Sequence, residues 1–276
     1  MNLKYASVVQ SAMRRVLLVA AVVFLFSSCQ TVPVTGRQQV SFVPSSTILP
    51  MSFNSYTDFL SKHKVIENTS QAQSVKRVGS RIQYAVERYM SERKMSDRLS
   101  GYKWEFNLVD DKQLNAWCMP GGKVVVYTGI LPVTGDETGL AVVMGHEIGH
   151  AIANHGGERM SQELLAQMGG VALSEALSTR PQETQQLFMG AYGLGSQVGV
   201  LLPYSRLQES EADHLGLVFM AMAGYNPRES VAFWKRMAAG KQGAAPPELL
   251  STHPTDATRI RDIERLVPEA LTYYRK

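Results

Sequence analysis

The sequence predicts an α+β domain that is mainly helical and contains a small β-sheet. Apolar residues recur every three or four positions in several segments, most clearly within residues 71–95, which is the spacing of a helix with one buried face. Residues 104–109 and 123–128 have the β-branched and aromatic composition of strands. With 276 residues, 45% of them hydrophobic, the chain can bury a complete core. We therefore expect one domain over residues 51–276.

Residues 1–28 predict a secretory signal peptide. Three basic residues and no acidic residue precede an apolar run over residues 16–26, which is too short to span a bilayer comfortably. These charges account for three of the four net positive charges of the chain, so the rest carries only +1 and we expect no nucleic-acid partner. The run ends in Ser-Ser-Cys29, which resembles the processing site of bacterial lipoproteins. A plain signal peptide and an uncleaved anchor are the alternatives.

Lipidation of Cys29 would make this cysteine the new N-terminus and attach the protein to a membrane. Residues 29–50 are rich in Pro, Ser, Thr and Gln and predict a tether that packs onto the domain. Gln30 follows the cysteine, which resembles the default sorting of lipoproteins to the outer membrane, facing the periplasm. Cys118 would then have no intrachain partner, so we expect no disulfide.

A short apolar helix over residues 141–151 contains the motif His146-Glu147-Ile148-Gly149-His150. At about 100° per residue, the two histidines fall on one face one turn apart, where their imidazoles can hold one zinc ion. Glu147 points about 100° away, so it is placed to activate a water molecule as a general base. The alternative is a chance match on a buried helix with two packed histidines.

A catalytic zinc site needs a third protein ligand, and the acidic start of a second helix over residues 206–213 offers candidates. Glu209 and Asp213 stand four residues apart and therefore share one face of that helix. Glu211 lies on the same turn. Three ligands would leave the fourth zinc position to water, as in catalytic sites.

Four motifs in order resemble those of the membrane-associated zinc metallopeptidases that include HtpX, BepA, LoiP and the CAAX prenyl proteases. They are the His-Glu-x-x-His motif, Glu209-x-x-x-Asp213, the Ala-Gly-Tyr-Asn-Pro run over residues 223–227, and Ser-Thr-His253-Pro. The chain is most similar to lipoprotein members of the LoiP and BepA kind, without a repeat domain. The resemblance implies a gluzincin-type fold with a small sheet above the motif helix.

The resemblance also implies the roles of the residues around the metal. It makes Glu209, rather than Glu211, the third ligand of a single Zn²⁺, and Asp213 a carboxylate that orients His146. Glu211 is equally well explained as a solvated acid. His253 has three interpretations: an oxyanion donor, a fourth ligand that keeps the enzyme latent, or a cap of the turn before Pro254. Arg259 is a second candidate oxyanion donor.

For the substrate, the resemblance implies an edge strand above the zinc to which an extended protein segment adds as one more strand. Asn115, Val124 and Val125 would contact the substrate backbone, although Asn115 is nearly as well explained as a turn residue. Residues 158–202 predict helices that cover the site, with contact to the membrane as the alternative. His155, at the end of the motif helix, is expected to be solvated.

The sequence thus predicts a lipid-anchored zinc metalloendopeptidase that cleaves misfolded or stalled proteins in the bacterial cell envelope. The alternative is a chaperone-like envelope assembly factor in which zinc is structural or latent and the envelope assembly machinery is the partner. Glu147 favours the enzyme, because a purely structural site needs no base at that position.

Overall fold

The computed structural model describes residues 29–168, 173–192, 205–239, 248–253 and 257–274. The predicted signal peptide over residues 1–28 therefore lies outside the described residues. The Gly-, Ala- and Pro-rich segment over residues 240–247, which the sequence predicts to be flexible, lies outside them as well. Within the described part of the chain, no helix combines the length and the apolar composition that crossing a bilayer requires.

The described residues form six short strands, eleven α-helices and two 3₁₀ turns, so the predicted α+β class with a helical majority is confirmed. The strands are β1 (Cys29–Thr31), β2 (Gln38–Val40), β3 (Val65–Ile66), β4 (Glu105–Val109), β5 (Ala116–Met119) and β6 (Lys123–Tyr127). The helices are α1 (Ser45–Lys62), α2 (Ser70–Glu92), α3 (Leu131–Thr134), α4 (Glu137–Ile152), α5 (His155–Met168), α6 (Leu173–Thr179), α7 (Pro181–Ala191), α8 (Arg206–Met222), α9 (Glu229–Ala239), α10 (Glu248–Thr252) and α11 (Ala257–Tyr273).

Four strands form the main sheet in the order β3-β4-β6-β5. Strands β4 and β6 are parallel, with Phe106 opposite Val124, and the other two pairings are antiparallel. The predicted strands at 104–109 and 123–128 correspond to β4 and β6. β5 lies within residues 115–122, where the resemblance implied an edge strand; its four residues, Ala-Trp-Cys-Met, are all buried and show no alternation of polar and apolar side chains. β1 and β2 form a separate antiparallel pair.

Both faces of the main sheet are buried, and they pack in two different cores. Successive side chains of a strand point to opposite faces. In β6, Val124 and Val126 join the core formed with α2, α4 and α8, whereas Val125 and Tyr127 join a second core that includes Phe59 of α1. All five residues of β6 are consequently buried.

The motif helix α4 is buried from Gly139 to Ile152. It begins at Asp136, whose carboxylate accepts hydrogen bonds from the backbone N–H groups of Thr138 and Gly139, and this satisfies two donors that the first turn of a helix leaves unpaired. A helix buried on all sides must be apolar on all sides, which explains why its three polar motif residues stand out in the sequence.

Helices α4 and α8 cross in close backbone contact at Gly145 and Gly216. A methyl group added at Gly216 would lie 2.8 Å from the backbone nitrogen of His146, and one added at Gly145 would lie 3.0 Å from the carbonyl oxygen of Gly216. Only glycine permits this approach at both positions. The crossing brings the first turns of α8, with their acidic residues, next to the histidines of α4.

Candidate metal centre

The two histidines of the motif converge on one point beside α4. His146 and His150 are both buried, and their Nε2 atoms lie 3.1 Å apart. Their rings meet edge to face. The spacing predicted from the sequence therefore brings two imidazole nitrogens to one site.

Glu209 reaches the same point from the first turn of α8. This helix begins with a capping box in which Ser205 and Gln208 each bond the other's backbone N–H, so the position of the first turn is fixed. Glu209 Oε1 lies 3.3 Å from His150 Nε2, and Glu209 Oε2 lies 3.6 Å from His146 Nε2.

His253, directly after α10, supplies a fourth donor. Its Nδ1 lies 2.8 Å from Glu209 Oε1 and 3.1 Å from His146 Nε2. Its Nε2 lies 3.5 Å from Glu147 Oε1, so the ring stands between Glu209 and Glu147. Pro254, which follows it, lies outside the described residues.

These four side chains fit a metal ion. One donor atom from each of His146, His150, Glu209 and His253 lies within 4.8 Å of all the others, and all four residues are buried. Ligand atoms bound tetrahedrally to zinc at about 2.0–2.1 Å lie about 3.3–3.4 Å apart, close to the separations observed here. In addition, the buried Oε1 of Glu147 has no hydrogen-bond partner among the described residues, so an acceptor is left facing the site.

Asp213 and Arg259 lie behind the donor cluster. Asp213 Oδ1 is 2.9 Å from His146 Nδ1, where the predicted orienting contact requires it. Arg259 donates to both oxygens of Asp213 at 2.8 and 2.9 Å, and its Nη1 lies 2.7 Å from Glu209 Oε2. The guanidinium also stacks on Trp234, 3.8 Å from the ring centroid.

The structure corrects the prediction that Arg259 is an oxyanion donor. Its Nε and both Nη nitrogens are already engaged by Asp213 and Glu209, so its charge balances these two carboxylates. Arg259 therefore holds the carboxylates of Asp213 and Glu209 in place. The bidentate fork suits this role because it holds a carboxylate in one orientation.

The pKa values of Glu147 and Glu209 are shifted in opposite directions by their surroundings. Burial raises the pKa of Glu147 to about 7, which suits a general base. Burial acts in the same direction on Glu209, but the charges of Arg259 and His253 outweigh it and hold the pKa of Glu209 well below its ordinary value. Burial alone would lower the pKa of His253, but the carboxylates of Glu209 and Glu147 raise it.

His155 contradicts the expectation of a solvated side chain, since it is fully buried. Its Nδ1 lies 2.9 Å from His150 Nδ1 and its Nε2 lies 3.1 Å from Glu211 Oε2. The expectation assumed that the motif helix continues, but α4 ends at Ile152 and Asn154 adopts a left-handed conformation with φ of 58°. The chain turns there, and α5 begins with His155 directed back toward His150.

Glu211 is also buried, and it belongs to this second group rather than to solvent. Burial would raise its pKa, but hydrogen bonds from His155, Arg37 and Thr35 lower the pKa to about 2. No local pattern in the sequence indicates this group, because Thr35 and Arg37 are more than 170 positions away from Glu211.

The structure also corrects the assignment of Val124 and Val125 to substrate binding. Both lie on β6, which is bonded to β4 on one side and to β5 on the other, so its backbone groups are already used. Among the described strands, β5 is the edge next to α4. Asn115 immediately precedes β5, is buried, and accepts a backbone hydrogen bond from Tyr127. Cys118 of β5 is buried, which raises its pKa well above the ordinary value, as expected of an inert thiol.

The chain is similar in sequence to known peptidases. The sequence model of peptidase family M48 matches residues 77–267. The mitochondrial metalloendopeptidase OMA1 of Schizosaccharomyces pombe is 31% identical over 250 residues, which cover 90% of this chain and 69% of that protein. The human metalloendopeptidase OMA1 is 30% identical over 260 residues, covering 91% of this chain and 48% of the human protein.

Bacterial relatives match over a shorter region. The beta-barrel assembly-enhancing protease of Escherichia coli is 26% identical over 167 residues, covering 58% of this chain and 33% of that protein. The chain thus spans about two thirds of its fission yeast relative and half or less of the human and E. coli proteins.

Replacing Arg259 by Met tests its placement as a positioning residue. The variant leaves Asp213 and Glu209 buried without their cation, so we expect the free energy of unfolding of the metal-free protein to fall by about 3–5 kcal/mol. The measurement is denaturant unfolding, with Arg261→Met on the exposed face of the same helix as the matched control. Wild-type stability together with a reduced kcat would instead identify Arg259 as an oxyanion donor.

Proposed function

The chain belongs to peptidase family M48, and from this premise we propose that it is a zinc-dependent endopeptidase that cleaves misfolded or stalled proteins in the bacterial cell envelope. The observation that carries the proposal is the buried cluster of His146, His150 and Glu209 with Glu147 beside it. A set of two imidazoles and one carboxylate is typical of catalytic zinc sites.

In the proposed reaction, His146, His150 and Glu209 hold the ion. A zinc ion bound there would polarise the scissile carbonyl and lower the pKa of a water molecule. Glu147 accepts the proton of that water and passes it to the leaving amine, a task for which a pKa of about 7 is well matched. Asp213 and Arg259 keep His146 and Glu209 in place.

We assign His253 primarily to regulation. Its Nδ1 lies within the donor cluster, 2.8 Å from Glu209 and 3.1 Å from His146, where a neutral imidazole can act as a fourth ligand. A fourth protein ligand would take the position that water needs, so this arrangement is that of a latent enzyme. Moving His253 out of the cluster would open the site and leave it free to stabilise an oxyanion.

The substrate is proposed to bind as an added strand along β5. Main-chain hydrogen bonds recognise any extended sequence, which suits an enzyme acting on damaged proteins of many kinds. β5 packs against α4 and carries no partner strand on its outer edge among the described residues. Asn115 stands at the start of this strand and would contact one end of the substrate.

We further propose that residues 1–28 are a signal peptide, that residues 29–50 form a lipidated tether from Cys29, and that residues 51–276 form the peptidase domain. This would make the protein an outer-membrane lipoprotein of the LoiP and BepA kind that faces the periplasm. The Ser-Ser-Cys29 sequence after an apolar run supports the anchor. The E. coli relative is named for enhancing β-barrel assembly, which suggests the envelope assembly machinery as a possible partner.

A second candidate function is a chaperone-like assembly factor with a structural zinc ion. The fourth donor from His253 favours it, because a closed four-ligand site is typical of structural zinc. The two functions differ in whether the purified protein cleaves a substrate.

Cleavage of casein by the purified full chain, with and without a chelator, tests the enzyme. We expect Glu147→Gln to keep one zinc ion per chain and to lose activity by about 10²–10⁴-fold, because only the proton transfer is removed. Glu209→Gln should lose both zinc and activity. Glu137→Gln, an acid paired with Arg77 at the start of α4 and outside the donor cluster, is the control and should keep both. Zinc bound by a wild-type protein that cleaves nothing would favour the assembly factor.

Removing His253 separates its two proposed roles. A latch that is removed exposes the metal to water, so His253→Ala should raise basal proteolysis or autolysis. The measurement is kcat and KM on an unstructured peptide, with His214→Ala on α8 as the control histidine. A fall of about 100-fold in turnover would make His253 an oxyanion donor instead, and wild-type kinetics would contradict both roles.

The anchor is tested by Cys29→Ser. A serine cannot receive the lipid, so we expect the protein either to leave the membrane fraction or to remain as an uncleaved precursor. Fractionation and N-terminal mass measurement report both outcomes. A processed N-terminus with unchanged membrane attachment would contradict lipidation at Cys29.

A further inference from the structure

A hydrogen-bonded chain connects the segment after Cys29 to the back of His150. It runs from Arg37 and Thr35 through Glu211 and His155 to His150. We propose that His155 and Glu211, anchored by Arg37, are positioning residues that fix the tautomer of His150 and thereby tune the affinity of the metal site. The proposal rests on the metal site proposed above.

The position of the proton on His150 determines which of its nitrogens can bind a metal. Its Nε2 is the nitrogen that faces the donor cluster, 3.1 Å from His146 Nε2 and 3.3 Å from Glu209 Oε1. To bind a metal through Nε2, a neutral imidazole must carry its proton on Nδ1. That Nδ1 lies 2.9 Å from His155 Nδ1, so His150 donates and His155 accepts.

Glu211 in turn fixes the tautomer of His155. Because its Nδ1 accepts, a neutral His155 carries its proton on Nε2, which lies 3.1 Å from Glu211 Oε2. An ionised carboxylate can only accept a hydrogen bond. The chain therefore has one favourable direction, from His150 to His155 to Glu211, and this direction leaves the Nε2 lone pair of His150 available.

Arg37 and Thr35 anchor Glu211. Arg37 Nε lies 2.9 Å from each oxygen of Glu211, and the hydroxyl of Thr35 donates to Oε1 at 2.8 Å. The Nη1 and Nη2 groups of Arg37 donate to Glu158 at 2.7 and 2.8 Å, so one guanidinium is held between two buried carboxylates. The fork to Glu158 fixes the guanidinium, and the contacts of Nε and of the Thr35 hydroxyl then fix the orientation of Glu211.

The anchor belongs to the tether, since Thr35 and Arg37 lie in the turn between β1 and β2. The turn is closed by a hydrogen bond from the Val32 N–H to the Arg37 carbonyl at 2.8 Å. These residues precede the region from residue 77 that matches the family model. The segment that is proposed to carry the lipid thus also completes the support of a metal ligand.

The two ligand histidines are supported in different ways. His146 meets the carboxylate of Asp213 directly, 2.9 Å from its Nδ1. His150 reaches a carboxylate only through the ring of His155, whose centroid lies 5.0 Å from its own. Partners that hold a metal-binding histidine in place commonly change metal affinity by about 10–100-fold when they are removed.

Zinc affinity of the purified full chain, measured by competition with a chromophoric chelator, tests the proposal. We expect Glu211→Gln and His155→Phe each to weaken zinc binding by about 10–100-fold. The double variant should bind no more weakly than the weaker single one, because both changes interrupt the same chain. Glu137→Gln is the control: it removes an acid that pairs with Arg77 at the start of α4, more than three helical turns from His150, and its zinc affinity should stay within about threefold of wild type.

Thr35→Val provides a milder variant, because Thr35 is exposed and its loss removes one hydrogen bond to Glu211. We expect a loss of about two- to tenfold in zinc affinity with an unchanged unfolding midpoint of the metal-free protein. If Glu211→Gln or His155→Phe does not fold, Thr35→Val decides the question.

The outcomes distinguish this inference from the proposed function. A wild-type chain that binds no zinc overturns the metal site itself. A wild-type chain that binds zinc, with Glu211→Gln and Thr35→Val binding equally tightly, overturns only the positioning chain. An equal loss of affinity in Glu137→Gln would show a non-specific effect of removing a carboxylate from an arginine and would also overturn it.

Discussion

The site depends on the close crossing of α4 and α8, which Gly145 and Gly216 make possible. The two histidines proposed as ligands lie on one helix and the proposed acidic ligand lies on the other, so the distance between the backbones sets the distance between donor atoms. Any side chain at either glycine would push the helices apart, and this displacement would pass directly to His146, whose backbone nitrogen is the nearest atom to Gly216. The metal site is therefore built on a rigid pair of buried helices, where small errors of position are suppressed by packing on every side.

Placing so many ionisable groups in one interior requires a balance of charge. Glu147, Glu209 and Asp213 are all buried, and the described residues supply one permanent cation among them, Arg259. Its pairing with Asp213 and Glu209 leaves Glu147 as the acid without a close cationic partner, which is why burial dominates there and its pKa rises to about 7. The same arrangement thus keeps Glu209, the proposed ligand, ionised and brings the pKa of Glu147, the proposed base, near 7. This difference between neighbouring carboxylates is typical of sites that transfer protons.

The ion pairs of Arg37 and the pairing of β1 with β2 hold the segment after Cys29 against the domain. A tether would need only to be flexible, but Arg37 is held by Glu158 and Glu211, and β1 pairs with β2. On our proposal, the anchor and the metal site share residues, so attachment to a membrane and support of His150 are parts of one structure. On the same proposal, His253 would control the site separately, because it follows α10 and contacts Glu209 rather than His150's support.

The sequence by itself determined the features that follow from short spacing: the pairing of His146 with His150, the position of Glu147, the shared face of Glu209 and Asp213, and the helical majority with strands β4 and β6. Spacing along one helix or strand fixes relative direction without reference to the rest of the chain. Only the tertiary structure decided that β6 is an interior strand, that Arg259 is bound by carboxylates and that His155 is buried. Each of these depends on which segment lies beside which: strand order places Val124 and Val125 between two neighbours, and the turn at Asn154 reverses the direction that helical spacing assigns to His155. Such contacts join residues far apart in the chain, and local periodicity contains no information about them.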